Sequence, residues 1–170
     1  IVDSRSRHRI KSPQDEYENG HILVSETAKT LSNAGVKVNM GAHGQLQGLG
    51  AHWETWMLQQ GGMSNLEALK AATINSAEYI GAGEDIGSLK VGKLADLIVL
   101  DKNPLEDIEN TESIKMVMIN GRIYDAETMN EIGNNTKERL PFFWEMDKYN
   151  QAFPWHQETH GFMDGGCSCH

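Results

Sequence analysis

Apolar side chains recur at three- and four-residue intervals over residues 21–34, which predicts an amphipathic helix. Gly35 follows at the position where a left-handed residue commonly ends a helix. Residues 36–40 then alternate between apolar and polar side chains, as a half-buried strand does. Helix, short turn and strand in this order form half of a β-α-β unit, so this part of the chain is typical of an α/β protein.

A helical pattern resumes over residues 48–62 and ends in two glycines. Another helix is predicted over residues 64–81, where Ser64 and Glu67 have the spacing of a capping box and Gly81 closes the pattern. The apolar stripe expected to be buried on this helix comprises Leu66, Leu69, Ala72, Ile74 and Ala77.

The pattern changes near residue 84. Turn glycines there surround a strongly apolar strand at residues 97–100, and Asn120-Gly121 separates two alternating runs. Asn-Gly in that setting is a strong signal for a β-hairpin, so residues 84–130 are predicted to be antiparallel β structure. Residues 131–170 are aromatic, punctuated by proline and irregular.

Composition narrows the class of protein. The 170 residues are 39% hydrophobic and 23% charged, which is typical of a globular chain. The formal net charge is −9 and the basic residues are scattered, so we expect no nucleic-acid partner. No run approaches the roughly 18 apolar residues that span a bilayer, so we expect no membrane partner. The first residues, Ile-Val-Asp-Ser, read as a strand already under way, which predicts a fragment of a longer protein.

His43 is the strongest candidate for chemistry. It follows the predicted strand in a glycine-rich turn, and active sites of parallel α/β folds gather at the carboxyl ends of the strands. A neutral imidazole there can ligate zinc or accept a proton near pH 7. The alternative is a histidine that only makes hydrogen bonds within a tight turn.

Structural roles are expected for the other isolated candidates. His21 either faces the same pocket as His43 or marks a helix start, and His52 should pack one helical turn from Trp56. Glu54 is expected to complement the dipole of its helix. Two charged residues beside the apolar strand are read as turn and strand-end residues, namely Lys93 and Asp96.

The end of the chain carries side chains of the kinds that zinc prefers: His156, His160, Cys167, Cys169 and His170. Their spacing matches neither the H-E-x-x-H signature nor the two-residue gap of zinc knuckles. The sequence leaves two alternatives: a metal site at this end of the chain, or a chain end that binds no metal.

The phrase "GSLKVGKLADLIVLDKNPL", residues 87–105, resembles the C-terminal signature of the amidohydrolase superfamily, metal-dependent hydrolases related to imidazolonepropionase and dihydroorotase. "GAHGQLQGLGAHWETWMLQQGGM" and "VMINGRIYDAETMNEI" further resemble a bacterial subgroup that carries an N-terminal β-propeller. The resemblance extends from about Arg5 to Trp144.

The resemblance implies an α/β fold that is the C-terminal portion of a (β/α)₈ TIM-like barrel plus part of a small β-sandwich, a composite domain built from both chain ends. Residues 36–43 would be the last barrel strand and 48–82 the closing helices. The expected divisions are barrel segment 1–83, sandwich segment 84–130 and tail 131–170.

The resemblance also implies hydrolysis of non-peptide carbon–nitrogen bonds, in amides or cyclic amides, by water activated on one or two divalent metal ions. Zinc is the expected metal. The family's last barrel strand ends in Gly-Ser/Thr-Asp, whereas this chain has Gly41-Ala42-His43. We therefore expect His43 to be a metal ligand or the general base. The family's opening His-x-His does not occur in the chain.

Because fewer than two β-α units cannot close a barrel, we expect the isolated chain to be inactive and to pack against the rest of the barrel or another chain. Expected partners are a small-molecule substrate and other copies in an oligomer. The alternative is a non-catalytic structural module, or a metal-binding one that uses the Cys/His tail. The resemblance favours a periplasmic or secreted protein, with the cytoplasm as the other compartment left open.

Overall fold

The computed structural model describes residues 20–42, 46–142 and 145. Four helices precede a small antiparallel sheet, and a short 3₁₀ helix lies between its first two strands. In chain order the elements are α1 (Gly20–Asn33), α2 (Leu49–Gln60), α3 (Asn65–Ala71), α4 (Ile74–Tyr79), β1 (Leu97–Leu100), the 3₁₀ helix (Ile108–Glu112), β2 (Ile114–Ile119), β3 (Arg122–Asp125) and β4 (Glu131–Ile132).

The predicted first helix is confirmed, including its end. Gly35 has a φ of +89°, and its N–H donates to the carbonyl of Ser32 at 3.0 Å. The N–H of Val36 reaches back to the carbonyl of Leu31, also at 3.0 Å. These two bonds form a Schellman motif, which turns the chain sharply out of α1.

The predicted strand at residues 36–40 is not formed, and residues 36–42 have no regular secondary structure. A strand needs neighbours for its backbone groups, and none of the described strands pairs with this segment. Val38 nevertheless packs against the helical core, whereas Val36 is 50% exposed. The alternating pattern is therefore present without the ladder that would make it a strand.

Helix α2 confirms the prediction over residues 48–62. It begins after Gly48, which has a φ of +79°, and runs into Gly61. A Cβ atom on Gly61 would lie 2.3 Å from the Cβ atom of Ser25, which is buried in α1. The end of α2 thus approaches α1 so closely that only glycine fits.

The capping box is confirmed: the Ser64 side chain accepts from the Glu67 N–H, and the Glu67 carboxylate accepts from the Ser64 N–H. The single helix predicted over residues 64–81 is wrong, because the chain breaks between α3 and α4. Thr73, at the break, has φ −130° and ψ −98°, and its hydroxyl donates to the Leu69 carbonyl at 2.6 Å. Adjacent β-branched residues, Thr73 and Ile74, are stiff in helices, which favours a break here.

The break also changes which residues are buried. Ala68, Ala71 and Ala77 are the buried side chains of α3 and α4, whereas Leu66, expected in the stripe, is 50% exposed. The stripe predicted from one continuous helix therefore holds only in part.

The antiparallel structure predicted after residue 84 is confirmed. The strand order is β1-β2-β3-β4, and every neighbouring pair is antiparallel. Asn120 and Gly121 have φ of 50° and 77°, the two positive values that a type I′ hairpin turn requires. The sheet continues past residue 130, where the 5%-exposed Glu131 side chain pairs with the Arg122 guanidinium, which lowers the pKa of Glu131.

The 3₁₀ helix connects the helical layer to the sheet. Ile108 is buried in one cluster with Leu58, Met63 and alanines of α3. The Trp56 indole N–H donates to the Ile108 carbonyl at 3.1 Å and to the Thr111 hydroxyl at 3.0 Å. Among the residues that the structure describes, no helix has both the length and the apolar character needed to cross a bilayer.

Substituting Gly61 by alanine tests the close approach of α2 to α1. Gly61→Ala forces a methyl group into the Ser25 backbone and should lower the free energy of unfolding by roughly 1–3 kcal/mol. Gly20→Ala is the matched control, because a Cβ atom there meets nothing within 4 Å. Urea denaturation of the whole protein measures both variants, and equal midpoints would contradict the described packing.

The capping box predicts an acid-sensitive contact. The hydrogen bond from Lys29 is the main cause that lowers the pKa of Glu67 from 4.5 to about 2, and bonds from Ser64 add to it. Because the folded pKa lies below the unfolded one, this stabilisation is complete above about pH 4.5 and is lost as the pH falls toward 2.

The Glu67 side chain is 38% exposed, so its contribution is modest. We expect Glu67→Gln to cost about 1 kcal/mol at pH 6 and clearly less at pH 3, measured by urea denaturation at both pH values. A cost that does not shrink at the lower pH would contradict this account.

Candidate functional site

The backbone of residues 38–41 is held on the helices by three hydrogen bonds. The Met40 N–H donates to the Ala71 carbonyl at the end of α3, at 3.1 Å. The Asn75 side-chain amide of α4 donates to the Val38 carbonyl at 3.0 Å. The third bond joins the Gly41 N–H to Oε1 of Glu54 in α2, at 2.9 Å. The end of the segment is thus fixed from two sides.

A cavity of about 430 Å³ opens beside this end. Gly41 and Ala42 line it from the segment, and His21 lines it from the first turn of α1. His21 therefore lies at a helix start, as one of the two predictions had it, and its Nε2 atom lies 3.2 Å from Oε1 of Gln60. That His21 faces the same pocket as His43 stays a prediction, because His43 is not among the described residues. The remaining wall comes from α1 and α2 and is mostly apolar: Val24, Ser25, Ala28, Gly50, Trp53, Glu54, Met57 and Leu58.

His43, the predicted site residue, lies outside the described residues. The described chain reaches Ala42, its immediate neighbour, and resumes at Leu46. What the structure places is the approach to His43: a glycine and an alanine at the rim of the cavity. The role of His43 as ligand or base stays a prediction.

The predicted role of Glu54 is wrong. No acidic residue lies in the first turn of α2, so Glu54 is too far along the helix to complement the dipole at its N-terminus. It instead accepts the Gly41 N–H. Sequence reasoning missed this contact because it joins residues thirteen positions apart, and no local spacing rule predicts it.

His52 packs as predicted. Its ring centroid lies 6.4 Å from that of Trp56, one helical turn further on. Trp56 in turn is bound to the 3₁₀ helix through its indole N–H. His52 therefore belongs to the contact between α2 and the sheet connection, in keeping with a structural role.

Lys93 and Asp96 also have the structural roles expected of them. The Lys93 ammonium donates to the carbonyls of Gly83 and Ile86 and so holds the turn after α4. A carboxylate oxygen of Asp96 accepts the Asn120 N–H at 2.7 Å, which ties the β2–β3 hairpin to the entry of β1. Both charged residues of the signature phrase therefore stabilise turns by binding backbone groups.

A complete metal site is not formed by the described part of the chain. Within residues 20–42 and 46–142 and residue 145, no group of three or more His, Cys, Asp or Glu side chains is placed to hold a metal ion. The Cys/His residues of the tail lie outside this part. The described residues therefore do not hold the implied metal by themselves, and further ligands would have to come from elsewhere.

Residues 13–124 match the sequence profile of the Amidohydrolase family. This match covers well over half of the 170 residues, and the chain therefore belongs to the amidohydrolase family. The family predicted from the signature phrase is confirmed. The propeller-bearing subgroup stays a prediction.

Known relatives agree with the family. The ochratoxinase of Aspergillus niger is 33% identical over 113 residues, which are 64% of this chain and 23% of that protein. The imidazolonepropionase of Geobacillus sp. (strain WCH70) is 55% identical over 42 residues, which are 25% of this chain and 10% of that enzyme.

Among solved structures, a Xaa-Pro dipeptidase with methionine bound in its active site is 32% identical, with a TM-score of 0.55, over 61% of this chain and 26% of that one. This likeness implies a TIM-barrel-related α/β fold. The chain spans about a quarter or less of the length of the proteins it matches.

Proposed function

We propose that the chain is the C-terminal part of a metal-dependent hydrolase that cleaves carbon–nitrogen bonds in amides or cyclic amides. Family membership supports the reaction class. The Xaa-Pro dipeptidase among the similar structures, by its name, cleaves a peptide carbon–nitrogen bond. The substrate of the whole protein is a small molecule in this proposal.

The observation that carries the proposal is the set of three consecutive backbone N–H groups, at residues 37–39, that are left without an acceptor in the described part of the chain. The N–H groups of Lys37, Val38 and Asn39 have no acceptor among the described residues. The buried Oδ1 atom of Asn39 also has no hydrogen-bond partner there. Leaving such groups unpaired costs about 1–3 kcal/mol each once they are buried.

Strands supplied from outside the described residues would satisfy these groups. In this proposal residues 36–39 are the paired part of the last strand of a barrel, and residues 40–42 lead from it to His43. The helices cover the outer side of this strand, and residues 84–130 contribute to a composite sandwich. The isolated chain would then be inactive, because one incomplete β-α unit cannot close the barrel that assembles the site.

His43 would stand at the carboxyl end of that strand, where barrel enzymes place their catalytic groups. A divalent metal bound there supplies Lewis acidity and a water of lowered pKa. The imidazole of His43 can contribute in one of two ways: its unprotonated ring nitrogen ligates the ion, or that nitrogen accepts the proton of the attacking water. Unlike an aspartate, it brings no negative charge to the site.

His43→Ala in the whole protein tests this role. If His43 is a ligand, bound zinc measured by elemental analysis should fall; if it is the base, zinc should stay and hydrolysis of a panel of Xaa-Pro dipeptides and N-acyl amino acids should slow by about 10²–10⁴-fold. His52→Ala is the matched control, because that ring packs on Trp56. Unchanged zinc together with an unchanged rate in His43→Ala would remove His43 from the site.

A further inference from the structure

We infer that Glu54 is a positioning residue, whose carboxylate fixes the backbone that leads into His43. The inference rests on the proposed function of His43. It starts from the 2.9 Å hydrogen bond that Oε1 of Glu54 accepts from the Gly41 N–H.

The bond acts close to His43 along the chain. Because peptide bonds are planar, only the φ and ψ angles of Gly41 and Ala42 separate the fixed N–H group from the peptide unit of His43. A hydrogen bond at Gly41 therefore restricts the backbone angles with which the chain can approach His43.

Gly41 needs such a contact. A Cβ atom at this position would meet nothing within 4 Å, so close packing does not hold its backbone. Glycine also has the widest choice of backbone angles of any residue. The direction of the chain at Gly41 is therefore set by hydrogen bonding, and Glu54 supplies the acceptor.

The carboxylate is carried by a firmly placed helix. Thr55, the next residue of α2, is 3% exposed, and its hydroxyl lies 3.9 Å from the Met40 sulfur and donates to the Ala51 carbonyl at 2.8 Å. Consecutive residues of α2 thus contact consecutive residues of the segment. Because a hydrogen bond to a charged acceptor is stronger than a neutral one, a glutamate at this place restrains the backbone well.

A helix dipole does not explain Glu54, as its place beyond the first turn shows. A contribution to stability alone is the competing explanation. A positioning role and a purely stabilising role make different predictions. Only the positioning role predicts that a folded Glu54→Ala protein loses function at His43 and that Glu54→Gln restores it.

The test compares Glu54→Ala and Glu54→Gln with wild type in the whole protein, using zinc alone as the probe. Alanine keeps the helix but removes the acceptor, whereas the amide oxygen of glutamine can still accept the Gly41 N–H. Glu26→Ala is the control, since Glu26 is an exposed glutamate of α1 whose carboxylate has no hydrogen-bond partner among the described residues. Three readouts are taken: hydrogen exchange of the peptide covering residues 36–42, zinc affinity by titration, and the rate of hydrolysis of the substrate panel used for His43→Ala.

In Glu54→Ala we expect faster exchange at Gly41, with the fold retained by circular dichroism. If His43 is a ligand, zinc affinity should also fall about 10–100-fold; if it is the base, hydrolysis should slow at unchanged zinc affinity. Glu54→Gln should recover most of both, and Glu26→Ala should match wild type.

Unchanged exchange in Glu54→Ala would overturn the inference, and so would a Glu54→Gln variant as impaired as the alanine. Faster exchange with unchanged zinc affinity and an unchanged rate of hydrolysis would also overturn the inference and leave Glu54 as a stabilising residue only. His43→Ala, measured alongside, separates the two proposals: if it weakens zinc binding or slows hydrolysis while Glu54→Ala changes neither readout, only the inference fails. If His43→Ala leaves both zinc and hydrolysis intact, the proposed function fails.

Discussion

The backbone of residues 38–41 is tied to three helices by three hydrogen bonds, and the course of the chain toward His43, the predicted site residue, depends on them. Ala71 accepts from the Met40 N–H, Asn75 donates to the Val38 carbonyl, and Glu54 accepts the Gly41 N–H. Met40 and Gly41 thus give their donors to helices, which leaves them unavailable for a strand ladder. Pairing with outside strands can therefore use the donors of residues 37–39, and it ends before Met40.

The same helices are locked to the sheet by the 3₁₀ helix. The Trp56 indole N–H donates to the Ile108 carbonyl and the Thr111 hydroxyl of the 3₁₀ helix, and the Ile108 side chain is buried in the helical core. Beyond that junction, Lys93 and Asp96 hold two turns through backbone groups. The most recognisable part of the sequence therefore identifies the family through residues that stabilise the fold.

Local rules predicted the features that depend on local contacts. The Schellman end at Gly35, the capping box at Ser64 and the Asn120-Gly121 turn each follow from side-chain chemistry or backbone freedom within a few residues. Two predictions failed because the periodicity of apolar side chains records neither stiff β-branched neighbours nor the presence of strand partners. The break at Thr73 divides a helix whose apolar spacing reads as continuous, and residues 36–40 have a strand's pattern without a strand's neighbours.

At the candidate site, too, local sequence patterns predicted one residue and missed a contact between residues distant in the chain. The sequence singled out His43 from its place after an alternating segment, and a family resemblance gave it a role. Glu54 was misread, because its partner at Gly41 is brought near only by the packing of α2 on the segment. A carboxylate that binds a backbone N–H leaves no signature in the spacing of side chains.

The central claim is that residues 36–39 form a strand completed by strands from outside the described chain. Residue-resolved hydrogen exchange of Lys37, Val38 and Asn39 in the whole protein tests it most directly. The account predicts slow exchange, comparable to that of the paired residues of β2, because buried ladder amides open rarely. Exchange as fast as that of an exposed loop at these three amides would contradict it.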